Sequence, residues 1–392
     1  GLTVVELGHS VAAPFGGQTL AILGARVIKV ENPINGDDAR SWGPPFWEGA
    51  SACFQSLNRE KLSITVDFKN SEQLEDLKRL IDTEADIVVQ NQRPGLLQRF
   101  GLDGKSLRSS KPSLIYCNIG AFGAEGPLRS KPGYDPLMQA FSGIMSITGP
   151  PGGEPHRVGI PIADLTAGLW ATLSINAALR HREVTGEGQH LDISLLDTQV
   201  SLLSIQGLNY LTSGEVPGLL GNAHPNIVPY QVFPTADGNI IVAVGNDDQF
   251  KRYCEFAGVP ELINDERFAT NKARVQNREA LTQILNEVMQ QKPSAYWLKE
   301  LENNKITSGP INNIDQVFAD AQVIARDMRI EMDHPAAGEP VSLIGSPSKM
   351  SVTEVSYRHA PPMLGQHTEE VLEELLGLDT AECDRLREQG VI

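Results

Sequence analysis

The sequence predicts an α/β protein, a wound parallel sheet followed by a second, smaller α+β domain, on three observations. First, Thr3–Leu7 (TVVEL), an apolar helical stretch over Ala13–Leu23 and a second strand over Ala25–Glu31 (ARVIKVE) form a βαβ opening. Second, strand and helix keep alternating over the next ninety residues. Third, the texture changes near Pro229, where a strand-turn-strand (YQVFPTADGNIIVAVG) leads into a polar, helix-rich stretch that runs to about Asn304.

In chain order, Ser63–Asp67 alternates as a strand, Ser71–Asp82 follows as a helix, and Asp86–Gln90 and Ser113–Asn118 add two strands. Between Phe122 and Pro155 the chain is rich in Gly and Pro, the composition of a long ordered loop of the kind that carries function. Asp164 then precedes an apolar run, Leu165–Leu179, which reads as a long buried helix ending near His181, Arg182 and the turn TGEG at 185–188. His190–Ser194 alternates as a strand, a helix is expected over Leu195–Leu211, and an amphipathic helix over Glu369–Leu376 closes the chain.

With 392 residues, 41% of them hydrophobic, the chain can bury a large core. A net charge of -16 argues against a nucleic-acid or anionic-membrane surface, so an anionic ligand must be held by local cations and backbone N–H groups. Cys53, Cys117, Cys254 and Cys383 lie far apart, with no CxxC pair and no metal-ligand rhythm among them and the His residues. We therefore expect no metal and a reducing compartment: cytoplasm, or the mitochondrial matrix in a eukaryote. No run approaches the ~20 uninterrupted apolar residues of a membrane span.

Glu31, at the end of the second strand, stands where a ribose-binding acid would, but GHSVAAPFGG before the first helix lacks the GxGxxG glycines of a dinucleotide site. Phosphate-loop, GxSxG and HExxH patterns are also missing. Asp164 admits two readings. Asp is among the best N-cap residues; alternatively, a carboxylate with few charged neighbours, ringed by Ala163, Thr166, Ala167 and Gly168, can be approached by an acyl group and act as a nucleophile.

Four segments carry a wider likeness: LGHSVAAPFGGQTLAILGARVIKVE with GDDARSWGPPF; NQRPG at 91–95 with RFG at 99–101; GYDPLMQAFSG at 133–143; and ADLTAGLW at 163–170 followed by TGEGQ. In this order they resemble the family III CoA-transferases. GNAHPNIVPYQVF, GPINN and PPMLGQHTEEVL are most similar to the branch acting on succinyl-CoA and dicarboxylates such as glutarate.

The resemblance implies that Asp164 is the nucleophile, forming a mixed anhydride and then an aspartyl-CoA thioester. It places CoA against Val11, Ala12, Val66, Asp67, Phe68, Lys69, Asn91, Gln92, Arg93, Arg99, Phe100, Lys131, Gly133 and Tyr134. Lys69, Arg93, Arg99 and Lys131 would pair with the phosphates, although any one of them alone reads as a solvated surface charge. CoA is thus a substrate, and no permanently bound cofactor is expected.

The resemblance further implies a Rossmann-like large domain over 1–205, a small domain over 225–325, and a segment over 330–392 that returns to the large domain. Two such chains would interlock as an intertwined homodimer. The 2-methylacyl-CoA racemases share this fold and are the alternative; where they carry a His, this chain has Tyr134, a poor proton shuttle at neutral pH. Two departures stand out: Asn32 replaces a basic residue found in some members after the second-strand Glu, and GNAHPN at 221–226 replaces a glycine run that forms a mobile loop, which makes His224 either a substrate contact or a structural loop residue.

Overall fold

The computed structural model describes residues 1–47, 49–355, 357–377 and Arg385. The chain divides into two compact units, one made of Gly1–Ile144, Val158–Ser204 and the chain from Ala321 onward, the other of Met145–Arg157 and Ile205–Asp320.

The first unit contains β1 (Thr3–Glu6), α1 (Ala12–Ile22), β2 (Arg26–Glu31), a short hairpin of β3 (Phe46–Trp47) and β4 (Ala50–Ser51), α2 (Ala52–Leu57), β5 (Lys61–Thr65), α3 (Ser71–Thr83), β6 (Ile87–Gln90), α4 (Gly104–Ser110), β7 (Ile115–Gly120), α5 (Asp135–Phe141), α6 (Ile162–Thr185), β8 (His190–Ser194) and α7 (Leu195–Leu202). Six of these strands form a parallel sheet in the order β5-β2-β1-β6-β7-β8. Alternation along β1 sends Val4 to a core with α1 and α6, and Val5 to a second core with α3 and α4 on the other face.

The order of the strands reverses at β1, which pairs with β2 on one side and β6 on the other. The loops leaving the C-terminal ends of β1 and β6 therefore flank the switch point, where open α/β sheets bind their ligands.

The second unit holds α8 (Ser204–Ser213, which starts at the boundary), an antiparallel sheet of β9 (Tyr230–Pro234), β10 (Asn239–Ala243) and β11 (Thr307–Pro310), and α9 (Asp247–Ala257), α10 (Asn271–Gln276), α11 (Arg278–Met289), α12 (Ser294–Asn303) and α13 (Ile314–Ala319). Its core gathers Phe233, Ile240, Phe250, Phe268, Leu281 and Trp297. The chain then re-enters the first unit with α14 (Ala321–Ala325), the hairpin β12 (Arg329–Met332) and β13 (Val341–Ile344), and α15 (Thr368–Leu376).

This returning segment covers the edge strand β5. His367 N–H donates to Ser63 O (2.9 Å), and Ser63 N–H donates back to His367 Nδ1 (3.2 Å). Backbone groups that an edge strand would leave open are thereby satisfied.

Three expectations change. The helix expected over Leu195–Leu211 breaks into α7 and α8 at Ser204, whose φ is 42°. The long helix starts earlier and ends later than expected, so that His181 and Arg182 lie inside it and Gly186 closes it in the left-handed conformation. It is also the one helix among the described residues long and apolar enough to cross a membrane by length and composition, which a count of uninterrupted apolar residues passed over; its Ala163, Ala167, Ala171, Ile175 and Ala178 lie in the core of the first unit. Cys53, Cys117 and Cys254 are free thiols, and Cys383 lies outside the described residues.

Candidate functional site

Asp164 is not the cap of its helix. Pro161 occupies the N-cap position with no side-chain bond, and Asp164 is the third helical residue. The capping acceptor comes from α5: Asp135, 4% exposed, takes the Ala163 N–H on Oδ1 at 2.7 Å and the Gln139 Nε2–H on Oδ2 at 2.6 Å. Gln139 Oε1 in turn accepts from Val158 N–H at 2.8 Å, so one buried chain of hydrogen bonds fixes the entry to α6.

Relieved of capping, the partly buried Asp164 carboxylate receives no hydrogen bond or ion pair among the described residues. Burial, together with the neighbouring Asp135 charge, pushes its pKa up to about 7, although the helix N-terminus acts in the opposite direction. This is a carboxylate poised near neutral pH, with the weak solvation that suits a nucleophile.

The small residues around it serve packing rather than acyl access. Ala163, Ala167 and Gly168 are buried. A Cβ at Gly168 would stand 2.7 Å from Ala12 O and 3.0 Å from Gly16 N, so Gly168 lets α6 approach α1 closely. This contact packs α6 on α1, the helix that follows the loop Gly8–Val11 leaving β1.

That loop is held from several directions. His9 N–H donates to Asn91 Oδ1 (2.9 Å), Asn91 Nδ2 donates to His9 O (2.8 Å), and Gln92 Nε2 donates to Leu7 O (2.8 Å). Ser10, with φ 69°, donates its N–H to Asp37 Oδ1 at 2.8 Å.

Beneath it lies a buried ionic network. Lys29 Nζ donates to Asp37 Oδ2 (2.8 Å), Glu6 Oε1 (3.0 Å) and Gly8 O (3.1 Å). Lys61 Nζ stands 2.8 Å from Glu6 Oε2, and burial with the Lys29 charge beside it pulls its pKa down to about 8 although Glu6 opposes them. Glu31 is spent here too, taking Arg40 Nε and Nη2 at 2.7 Å each, Ser63 Oγ–H at 2.6 Å and Asp37 N–H at 3.0 Å. A ribose-binding Glu31 is thereby ruled out by its own saturation.

The expected CoA contacts fall into two groups. Val11, Ala12 and Val66 are buried side chains, and Asn91 and Gln92 spend their amides on the loop after β1, so these positions could meet a ligand through their backbones. The second group is open. Lys69, Arg93, Arg99 and Lys131 are exposed and make no ion pair among the described residues. Asp67 braces its own turn by accepting from Lys69 N–H (2.9 Å), and Phe68 packs on Phe100 with ring centroids 5.4 Å apart, which brings the loops after β5 and β6 together. Gly133 is half-buried, and Tyr134, 67% exposed, leads α5.

Sequence reasoning missed Asp135, Gln139, Lys29 and Asp37. GYDPL was visible as a motif, but nothing local tells that its Asp caps a helix 28 residues away. Cys53, in α2, also lies in the field of Asp164: burial and the charges of Asp37 and Asp164 raise its thiol above the ordinary range. His224, in the second unit, accepts Asn226 N–H on Nδ1 (3.1 Å) and stacks on Tyr230 (5.2 Å), the bonding of a structural loop residue. Among the described residues no three His, Cys, Asp or Glu side chains gather to hold a metal.

The family model described as CoA-transferase family III matches residues 1–368. The chain belongs to CoA-transferase family III. It is 45% identical over 381 residues to a succinate–glutarate CoA-transferase of Agrobacterium fabrum, covering 96% of this chain and 95% of that protein. It is 41% identical to a succinyl-CoA:glutarate CoA-transferase of Mus musculus, covering all of this chain and 89% of the relative. Among solved structures, a CAIB/BAIF family protein from Brucella suis superimposes with a TM-score of 0.85 at 45% identity, covering 96% of this chain and 98% of that one.

Proposed function

We propose that this CoA-transferase moves CoA from succinyl-CoA, or a similar donor, to a dicarboxylate such as glutarate through covalent chemistry on Asp164. The observation that carries the reading is the unpaired, desolvated Asp164 carboxylate on the first turn of α6, combined with the names of the full-length relatives.

In the first step the Asp164 carboxylate attacks the donor thioester, giving a mixed anhydride and CoA thiolate. The thiolate attacks the Asp164 carbonyl of the anhydride, and succinate leaves from an aspartyl-CoA thioester. The acceptor carboxylate attacks this thioester to form a new anhydride and free thiolate; the thiolate then takes the acceptor acyl group and releases Asp164. Each acyl exchange thus has an activated partner. Lys69, Arg93, Arg99 and Lys131 supply the cations for the CoA phosphates, in loops that follow the strands of the sheet.

With succinyl-CoA and a panel of mono- and dicarboxylic acids, mass spectrometry of the CoA products is expected to show transfer to C5 and neighbouring dicarboxylates. Transfer to monocarboxylates alone, or α-proton exchange without an acceptor acid, would overturn the reading.

We also propose a homodimer. On α6, Leu169, Trp170 and Leu173 are 50%, 45% and 59% exposed, an apolar stripe whose occupant is a second copy of this chain. Leu173→Glu is expected to convert a dimer to monomer in sedimentation; a monomeric wild type contradicts the proposal.

A further inference from the structure

Four Lys or Arg side chains are buried among the described residues: Lys29, Arg59, Lys61 and Arg274. Three are satisfied. Lys29 has the three partners given above, Lys61 donates to Pro14 O (2.8 Å) and Asn58 Oδ1 (2.9 Å) beside Glu6, and Arg274 donates to Val228 O (2.6 Å), Phe268 O (2.9 Å) and Asp247 Oδ1 (2.7 Å).

Arg59 is the exception. It is 4% exposed, its Nε is buried with no hydrogen-bond partner, and its guanidinium makes no ion pair among the described residues. The adjacent Glu60 attracts it only through space and makes no hydrogen bond or ion pair with it, because that carboxylate accepts Arg358 N–H (2.6 Å) and His359 N–H (2.9 Å) on Oε1 and Arg358 Nε–H (3.1 Å) on Oε2. The Tyr357 ring, 5.7 Å from Cζ, is a weak substitute. A buried charge with no direct partner is among the costlier features a fold can carry, and its presence points to an anion that arrives from outside the subunit's own fold.

Its position says which anion. The Arg59 backbone N–H donates to Gln18 Oε1 (3.1 Å) and Gln18 Nε2 donates to Ser56 O (3.1 Å), tying the residue to α1, the helix that packs on α6 at Gly168, one turn after Asp164. Six residues earlier, Cys53 feels the Asp164 charge. Arg59 follows the C-terminal end of the same short helix, α2 (Ala52–Leu57), whose first turn carries Cys53, so one short element links the neighbourhood of Asp164 to the guanidinium.

We propose that Arg59 receives the distal carboxylate of the dicarboxylate acyl group while the proximal carboxyl reacts at Asp164. The inference rests on the dicarboxylate reading above and assigns its selectivity to one guanidinium. An Arg fork suits a carboxylate by geometry as well as charge.

The test compares glutarate with pentanoate, which has the same chain length and one carboxylate. Arg59→Met is expected to lower the ratio of kcat/KM for glutarate over pentanoate by roughly 10²- to 10³-fold, with Arg59→Lys between it and wild type. Glutarate should raise the unfolding temperature of the wild type but not of Arg59→Met, and the variant without ligand should unfold no earlier than wild type, having lost an unpaired buried cation. An unchanged glutarate preference in Arg59→Met, whether or not the variant is less stable, overturns the inference and leaves the dicarboxylate reading standing. If the wild type itself shows no preference for dicarboxylates, both fall together.

Discussion

Replacement of Asp164 by Ala is expected to abolish CoA transfer while the fold and CoA binding persist. The carboxylate takes no hydrogen bond from any described residue and does not cap α6, because Asp135 does, so its removal leaves the helix entry intact. Loss of a covalent nucleophile removes the only route to the anhydride, and a residual rate above a few per cent of wild type would reject the assignment. The intact enzyme carries the same prediction in its pH profile. In the proposed chemistry only the ionised Asp164 attacks, and its pKa stands near 7 because burial and Asp135 disfavour the charge. The value of kcat/KM should therefore rise with pH through about 7, level off above it, and fall about tenfold per pH unit on the acid side. Asp135→Asn, which removes one of the two causes, should move the midpoint down.

Lys29→Met is expected to produce the largest loss of stability. Lys29 and Glu6 side chains are fully buried and that of Asp37 is 1% exposed. Without the ammonium, Asp37 Oδ2 and Glu6 Oε1 lose their partners, and stranding buried charges in this way costs about 3–5 kcal/mol. The loss also reaches the proposed CoA-binding loop: the same Asp37 carboxylate holds Ser10 N–H, and Lys29 holds Gly8 O. CoA affinity should fall along with the denaturation midpoint, and the double variant Glu6→Gln/Lys29→Met should lose less than the sum of the single changes, because the two residues share one network. A Lys29→Met protein as stable as wild type would show that the network carries no net free energy.

Much of the sheet was legible because its strands alternate or run apolar in a chain whose helices have clear periods. β1, β2, β6 and the helices beside them lie within a few residues of their expected bounds. The break at Ser204 was not legible, since neither Gly nor Pro marks it and a positive φ at Ser is uncommon. β11 and the short α5 were also missed. The first has only four residues and pairs with a strand more than sixty residues earlier, and the second opens inside the Gly/Pro-rich stretch, where punctuation hides a seven-residue helix.

At the candidate site, Asp164 could be singled out from the sequence but its environment could not. Local propensity favours Asp as its own helix cap, whereas the fold supplies that cap from Asp135 across 28 residues, an acceptor that spacing along the chain does not reveal. Asn91 and Gln92 show the converse: their motif stands out in the sequence, but their amides hold the backbone of the neighbouring loop. Arg59 was invisible, because an Arg between Asn58 and Glu60 reads as surface charge until its burial is known.

The most direct test of covalent chemistry on Asp164 is to mix the enzyme with succinyl-CoA in the absence of acceptor acid, quench with hydroxylamine, and map the modified peptide by mass spectrometry. A hydroxamate on Asp164, and on no other carboxylate, is the predicted result; a modification at a different residue, or none from an enzyme that still turns over, would contradict the account.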